Sequence, residues 1–267
     1  MNNIYIKSFF LLILIYVGIT VVIYFYQRKL LYHPFNTQVS GEGLIHNFET
    51  INFKTSDNLL LKGWFHLKSS KKKTILFLHG NAGNLDNRID KLNSIGNMDV
   101  NFLIIAWRGY SGNTGKPSEE GLYKDALGGI KWLNEKGITN DQIILYGESL
   151  GTAIATEVGQ NKNFAGIILE SPFTSMIDAG ADKYPIFPIR LLLKDKYESD
   201  KKIKNIKSPI LIMHGEVDKI VPFWMGKKMY ELANEPKYYY FSKYDDHMME
   251  YNAELLSELK KFINSLN

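Results

Sequence analysis

Cysteine is missing altogether from the 267 residues, which removes a cysteine nucleophile, a structural disulfide and a thiolate metal site in one step, together with any clue to redox compartment. No internal repeat and no low-complexity linker divides the chain, so nothing in it argues for more than one globular unit. An excess of either charge is also lacking: 32 Lys and Arg against 28 Asp and Glu leave +4, spread over turns and helix faces. Such a balance offers no basic stripe and gives no reason to expect nucleic acid. Neither metal-ligand spacing nor a Gly-rich phosphate cradle stands out, so no cofactor and no metal is implied. Disorder is excluded from the other side, since 45% hydrophobic and 22% charged residues describe an ordinary globular composition.

What the chain does have is one long apolar run. Residues 9–26 carry no charge, and at 1.5 Å per residue a helix of them spans about 27 Å, close to the thickness of a hydrocarbon core. Lys7 on one flank and Arg28 with Lys29 on the other can snorkel to headgroups, while Tyr5, Tyr24, Tyr26 and Tyr32 suit the interface. A cleaved signal peptide is the rival, but Tyr24-Phe25-Tyr26-Gln27-Arg28 lacks the small residues that a signal peptidase requires. The expectation is a single-pass anchor over residues 1–30, with the lipid bilayer as partner, followed by one α/β domain over 31–267. Positive charge is nearly balanced across the run, so the positive-inside rule assigns no side to the domain.

Beyond the anchor, β-branched or alternating runs at 51–53, 59–66, 74–79, 101–107, 142–146, 166–170, 210–215 and 237–241 predict eight strands. Helical patterns follow at 85–95, 118–136, 149–159, 223–233 and 249–265. The helix opening at Ser118 is marked best, with Glu119 and Glu120 in its first turn and Gly137 past its end. Alternation of strand and helix implies a mostly parallel sheet flanked by helices. The first three strands have short connections and are expected to pair as hairpins, the lysine-rich residues 68–73 (KSSKKK) reading as a solvated turn rather than a contact for anionic lipid. Pro185 and Pro188 break any long helix between residues 171 and 208, which leaves room for a small cap only.

The chemical signal is Gly147-Glu148-Ser149-Leu150-Gly151, set between the apolar strand Ile143-Ile144-Leu145-Tyr146 and the helix-like Thr152-Ala153-Ile154-Ala155-Thr156. A strand, a sharp turn and a helix are the context in which this motif exposes a serine hydroxyl at a helix N-terminus. Such a serine needs a base, and Asp245-Asp246-His247 supplies one in the loop before the last helix. His33 and His46 lie near the anchor, His66 ends an early strand, and His79 and His214 each precede a glycine at a strand end; only His247 fits the order serine, acid, histidine. The acid is assigned to Asp218 in the loop after residues 210–215, with Glu170 and Glu216 as alternatives. Two backbone N–H groups must face the oxyanion. One belongs to Leu150, after the serine, and the other to Asn81 in His79-Gly80-Asn81-Ala82-Gly83-Asn84.

At these residues the sequence resembles the α/β-hydrolase superfamily, and within it the membrane-anchored ABHD-type proteins of the bud-emergence branch. The likeness covers nearly the whole chain, through Leu31-Tyr32-His33-Pro34, the His79 loop, Arg108-Gly109-Tyr110-Ser111-Gly112, Pro117-Ser118-Glu119-Glu120-Gly121, the serine motif, Ser171-Pro172-Phe173, Asp218 and His247. It implies a Ser–His–Asp hydrolase of carboxylic esters or acyl thioesters, since some relatives remove palmitoyl groups from proteins. Ala106-Trp107 departs from the acidic residue and tyrosine expected there, a change that bears on the pocket rather than the triad. Epoxide and haloalkane chemistry is disfavoured, because relatives of that kind carry Asp where this chain has Ser149. A serine peptidase and a catalytically silent membrane scaffold on the same fold remain the competing readings.

Overall fold

A computed structural model describes residues 2–266. All eight expected strands form: β1 (Glu49–Lys54), β2 (Leu60–His66), β3 (Thr74–Leu78), β4 (Asn101–Ile105), β5 (Ile143–Glu148), β6 (Gly166–Glu170), β7 (Ile210–Gly215) and β8 (Lys237–Ser242). They make one sheet in the order β8-β7-β6-β5-β3-β4-β2-β1. β2 runs antiparallel to both its neighbours while the other pairs are parallel, so the sheet is mixed rather than mostly parallel. Only β1 and β2 pair as a hairpin. β3 pairs with β4 and β5 instead, and the lysine-rich stretch folds back on Asn101, whose Oδ1 accepts the amides of Lys68 and Ser69.

The middle strands are buried on both faces, as their unbroken apolar runs require. Alternate residues therefore feed two cores. Leu76, Leu103 and Leu145 meet the apolar stripes of α3 (Glu119–Glu135), α4 (Leu150–Gly159) and α8 (Phe223–Leu232). Ile75, Phe77 and Ile104 meet α2 (Ile89–Gly96) and α9 (Ala253–Ser265). Ser118 caps α3 by accepting the Gly121 amide, and Gly137 takes the positive φ just past its end.

Two parts lie outside this sandwich. Between β6 and β7 the chain builds a cap of three short helices the sequence does not announce, α5 (Met176–Lys183), α6 (Ile189–Leu192) and α7 (Ser199–Lys202). Before the sheet stands α1 (Asn2–Leu31), the one helix among the described residues long and apolar enough to cross a membrane. Most of its apolar side chains are exposed, but its C-terminal half is fastened to the cap. Arg28 forms a bidentate pair with the buried Asp195, both bonds 2.8 Å, and Gln27 exchanges hydrogen bonds with the Leu192 carbonyl and the Lys194 amide.

Candidate active site

Every candidate residue lies at the carboxyl edge of the sheet. Ser149 occupies the turn from β5 into α4 at φ 50°, ψ −113°, a backbone state that bulky residues rarely hold without support. The support is a matter of space: a Cβ on Gly147 would come within 2.5 Å of the Gly151 carbonyl, and one on Gly151 within 1.8 Å of the Leu78 carbonyl of β3. The Ser149 amide is satisfied by the Glu170 carbonyl at 2.8 Å, which ties the turn to β6.

Ser149, His247 and Asp218 come together. His247 Nε2 stands 2.9 Å from Ser149 Oγ, and its Nδ1 lies 2.8 Å from Asp218 Oδ2. Asp218 Oδ1 accepts the amides of Ile220 and Val221 at 2.8 Å each. Burial raises the affinity of the Asp218 carboxylate for a proton, but hydrogen bonds from His214, His247 and the Val221 amide outweigh that and hold it well below the ordinary carboxylate range. The loop carrying His247 is fixed as well: Ser171 Oγ donates to the His247 carbonyl at 2.9 Å, and Asp246 accepts the amides of both His247 and Lys219.

Neither alternative acid meets the imidazole. Glu216 is exposed. Glu170 belongs to a buried network that the sequence reading did not foresee. In it Lys91 Nζ bridges Glu148 and Glu170 at 2.6 Å each, Arg88 Nε donates to Glu148 at 3.0 Å, and the hydroxyls of Tyr146 and Tyr251 donate to Glu170. Two cations and two carboxylates balance directly beneath the serine turn. Burial opposes ionisation of Glu148, but Lys91 and Arg88 overcome it and keep the carboxyl ionised. A signal existed, because Arg88, Lys91, Leu92 and Ile95 share one helical face that is otherwise apolar.

Asn81 and Leu150 line the same cavity as Ser149, and neither backbone amide has a protein acceptor among the described residues. The Asn81 loop is propped from below. Trp107 Nε1 donates to the His79 carbonyl at 3.0 Å, Tyr110 OH to the Asn81 carbonyl at 2.7 Å, and the Gly80 amide to Glu148 at 3.1 Å. Trp107 is thus a buried strut beneath the Asn81 loop and does not itself line the cavity. Arg108 secures this strut through Asp57 and Asp125. From the other side, His33-Pro34 pairs in parallel with Ala82-Gly83, and the Asn81 side chain donates to the Leu31 carbonyl at the end of α1.

The cavity measures about 510 Å³ and is mainly apolar, walled by Leu31, Phe173, Met176, Tyr184, Ile220 and Met248. Its wall therefore includes the last residue of α1 and the first cap helix.

Comparison with known proteins agrees with this geometry. The profile of the prolyl oligopeptidase family matches residues 111–258. An uncharacterized protein of Mycobacterium tuberculosis, Rv2307c, is 34% identical over 226 residues, covering 83% of this chain and 80% of its own. The lysophosphatidylserine lipase ABHD12 of Danio rerio is 32% identical over 189 residues, which is 63% of this chain and 49% of that protein. Among solved structures, the Pyrococcus furiosus esterase Pf2001 superposes with a TM-score of 0.72 at 18% identity, covering 88% of this chain and 99% of the esterase.

Proposed function

The chain belongs to the prolyl oligopeptidase family and is an α/β-fold hydrolase, and from that premise we propose that it cleaves carboxylic esters through an acyl-enzyme on Ser149. The observation that carries the proposal is the continuous chain of hydrogen bonds from Ser149 Oγ through His247 to Asp218. In the first step Ser149 Oγ attacks the ester carbonyl carbon while His247 Nε2 takes its proton, and Asp218 stabilises the imidazolium. The carbonyl oxygen becomes an oxyanion facing the amides of Asn81 and Leu150, a pair whose individual members contribute roughly 3 kcal/mol each in comparable sites. Collapse of the intermediate breaks the ester C–O bond, and the leaving alkoxide takes the proton from His247. Water then repeats the sequence on the acyl-enzyme, with His247 again as base.

Esters are preferred over amides because the cavity is mainly apolar and bordered by the end of α1, as suits a single acyl chain, and because one relative is a lysophosphatidylserine lipase and a structural neighbour an esterase. The proposal is confined to oxygen esters, the class for which the lipase and the esterase are named. In the same reading residues 1–30 anchor the protein in a bilayer and residues 31–267 form the catalytic domain, with the substrate drawn from the membrane. The test compares a p-nitrophenyl ester, a vesicle-borne monoacyl phospholipid and a proline p-nitroanilide. Both esters are expected to be cleaved, and Ser149→Ala to lower their turnover about 10⁴-fold or more. Cleavage of the anilide alone would favour a peptidase, and a Ser149→Ala variant within tenfold of the wild type would contradict the mechanism.

A further inference from the structure

The cap is fastened to α1 at a depth that has a consequence for where the cap lies. Tyr16, near the middle of the apolar run, donates its hydroxyl to the Ile186 carbonyl at 2.7 Å, and its ring stacks on Phe187 at 5.8 Å. Tyr16 is twelve residues from Arg28, or about 18 Å along the helix axis. An α1 that spans a hydrocarbon core of about 30 Å therefore carries residues 184–193 into the acyl-chain region with it.

The composition of that segment fits such a place. It reads Tyr-Pro-Ile-Phe-Pro-Ile-Arg-Leu-Leu-Leu between Lys183 and Lys194. Ile186 and Leu191 are 72% and 82% exposed, with nothing among the described residues to cover them. Arg190 can snorkel, and Lys194 lies over the Tyr24 ring at 4.3 Å, near the level where α1 leaves its apolar run.

Most of the segment's amides suit such a place too, since hydrocarbon supplies no partner for a free peptide group. Two positions are prolines without an N–H. Of the other eight amides, six, those of Tyr184, Phe187, Ile189, Leu191, Leu192 and Leu193, donate within the segment or to Gly180, while those of Ile186 and Arg190 have no protein acceptor among the described residues. The two carbonyls turned toward α1, Ile186 and Leu192, are taken by Tyr16 and Gln27. A helix that merely tethered the enzyme would have no need of polar groups placed to satisfy the cap.

We infer that residues 184–193 form a membrane-immersed wedge, docked along α1, whose occupant is the acyl-chain region of a phospholipid bilayer. The inference rests on the reading of α1 as an anchor. Its functional consequence is that the cavity wall formed by Leu31 and Tyr184 faces lipid, so a lipid ester reaches Ser149 sideways from the leaflet without crossing water.

The absence of cysteine makes the test clean. The full chain is reconstituted in phosphatidylcholine vesicles with one nitrobenzoxadiazole label, on Ile186→Cys, Leu191→Cys, Leu14→Cys or Leu67→Cys. Leu14 reports the anchor, and Leu67 the opposite edge of the sheet. The unlabelled variants at 186 and 191 should hydrolyse a soluble ester like the wild type, since neither residue lines the cavity. The expected result is blue-shifted emission, quenched severalfold by doxyl-labelled acyl chains, at 14, 186 and 191 but not at 67. Quenching at 14 with none at 186 and 191 would overturn the wedge and leave the anchor standing. No quenching at 14 would overturn the anchor, and the wedge with it.

Discussion

His79 sits beneath the Asn81 loop with no exposure, its Nδ1 donating to the Gly80 carbonyl and its Nε2 without a partner. Burial, reinforced by the charge of Arg88, lowers its pKa from 6.5 to about 3. The unfolded chain therefore binds a proton at this site between those values that the folded chain refuses. The resulting stability is fully present above about pH 6.5 and is lost as the pH falls toward 3, by at most about 1.4 kcal/mol per unit. Urea titrations should find the wild type about 2 kcal/mol less stable at pH 5 than at pH 7 on this account, with His79→Asn, which keeps the donor to Gly80, showing a shallower decline. Parallel pH profiles for the two proteins would contradict a buried neutral imidazole. The residues proposed for the chemistry could be singled out in the sequence because their order along the chain and their strand-turn-helix setting can be read locally. Arg88 and Lys91 were not singled out, since their partners Glu148 and Glu170 lie 57 to 79 positions away and only the fold brings them together.

At the scale of elements, the turn between β5 and α4 depends on α4 lying almost against β3. A methyl group on Gly151 would overlap the Leu78 carbonyl, whereas Gly137, at φ +84°, has nothing within 4 Å of its would-be Cβ. Gly137→Ala is thus expected to cost about 1–2 kcal/mol from backbone strain alone, and Gly151→Ala at least about 3 kcal/mol because backbone must move. Denaturant midpoints check the order, and equal losses would mean that close approach is not what the motif requires. The five middle strands were legible because strands buried on both faces write continuous apolar runs, and β1, β2 and β8, which are partly exposed, through their β-branched and aromatic residues. Their arrangement was less so: the reversal of β2 and the placement of β4 between β3 and β2 are decided by long-range pairing. The cap helices escaped because they are four to eight residues long, too short for a periodic pattern, and are divided by prolines.

On the scale of the whole molecule, the parts form one connected arrangement. The end of α1 holds the Asn81 loop through Leu31 and the His33-Pro34 pairing, Asp195 holds α1 to the cap, and the cap closes the cavity over Ser149. The long apolar helix was legible in the sequence, but its attachment to the cap was not, since the partners of Tyr16 and Gln27 lie 170 and 165 positions away. The proposed activity turns on Ser149 being an activated nucleophile. The most direct measurement is to treat the full-length protein in vesicles with a fluorophosphonate and to locate the adduct by mass spectrometry, with Ser149→Ala alongside. The account predicts one adduct, on Ser149, that disappears in the variant; a folded wild-type protein that takes up no label, or takes it up elsewhere, would contradict it.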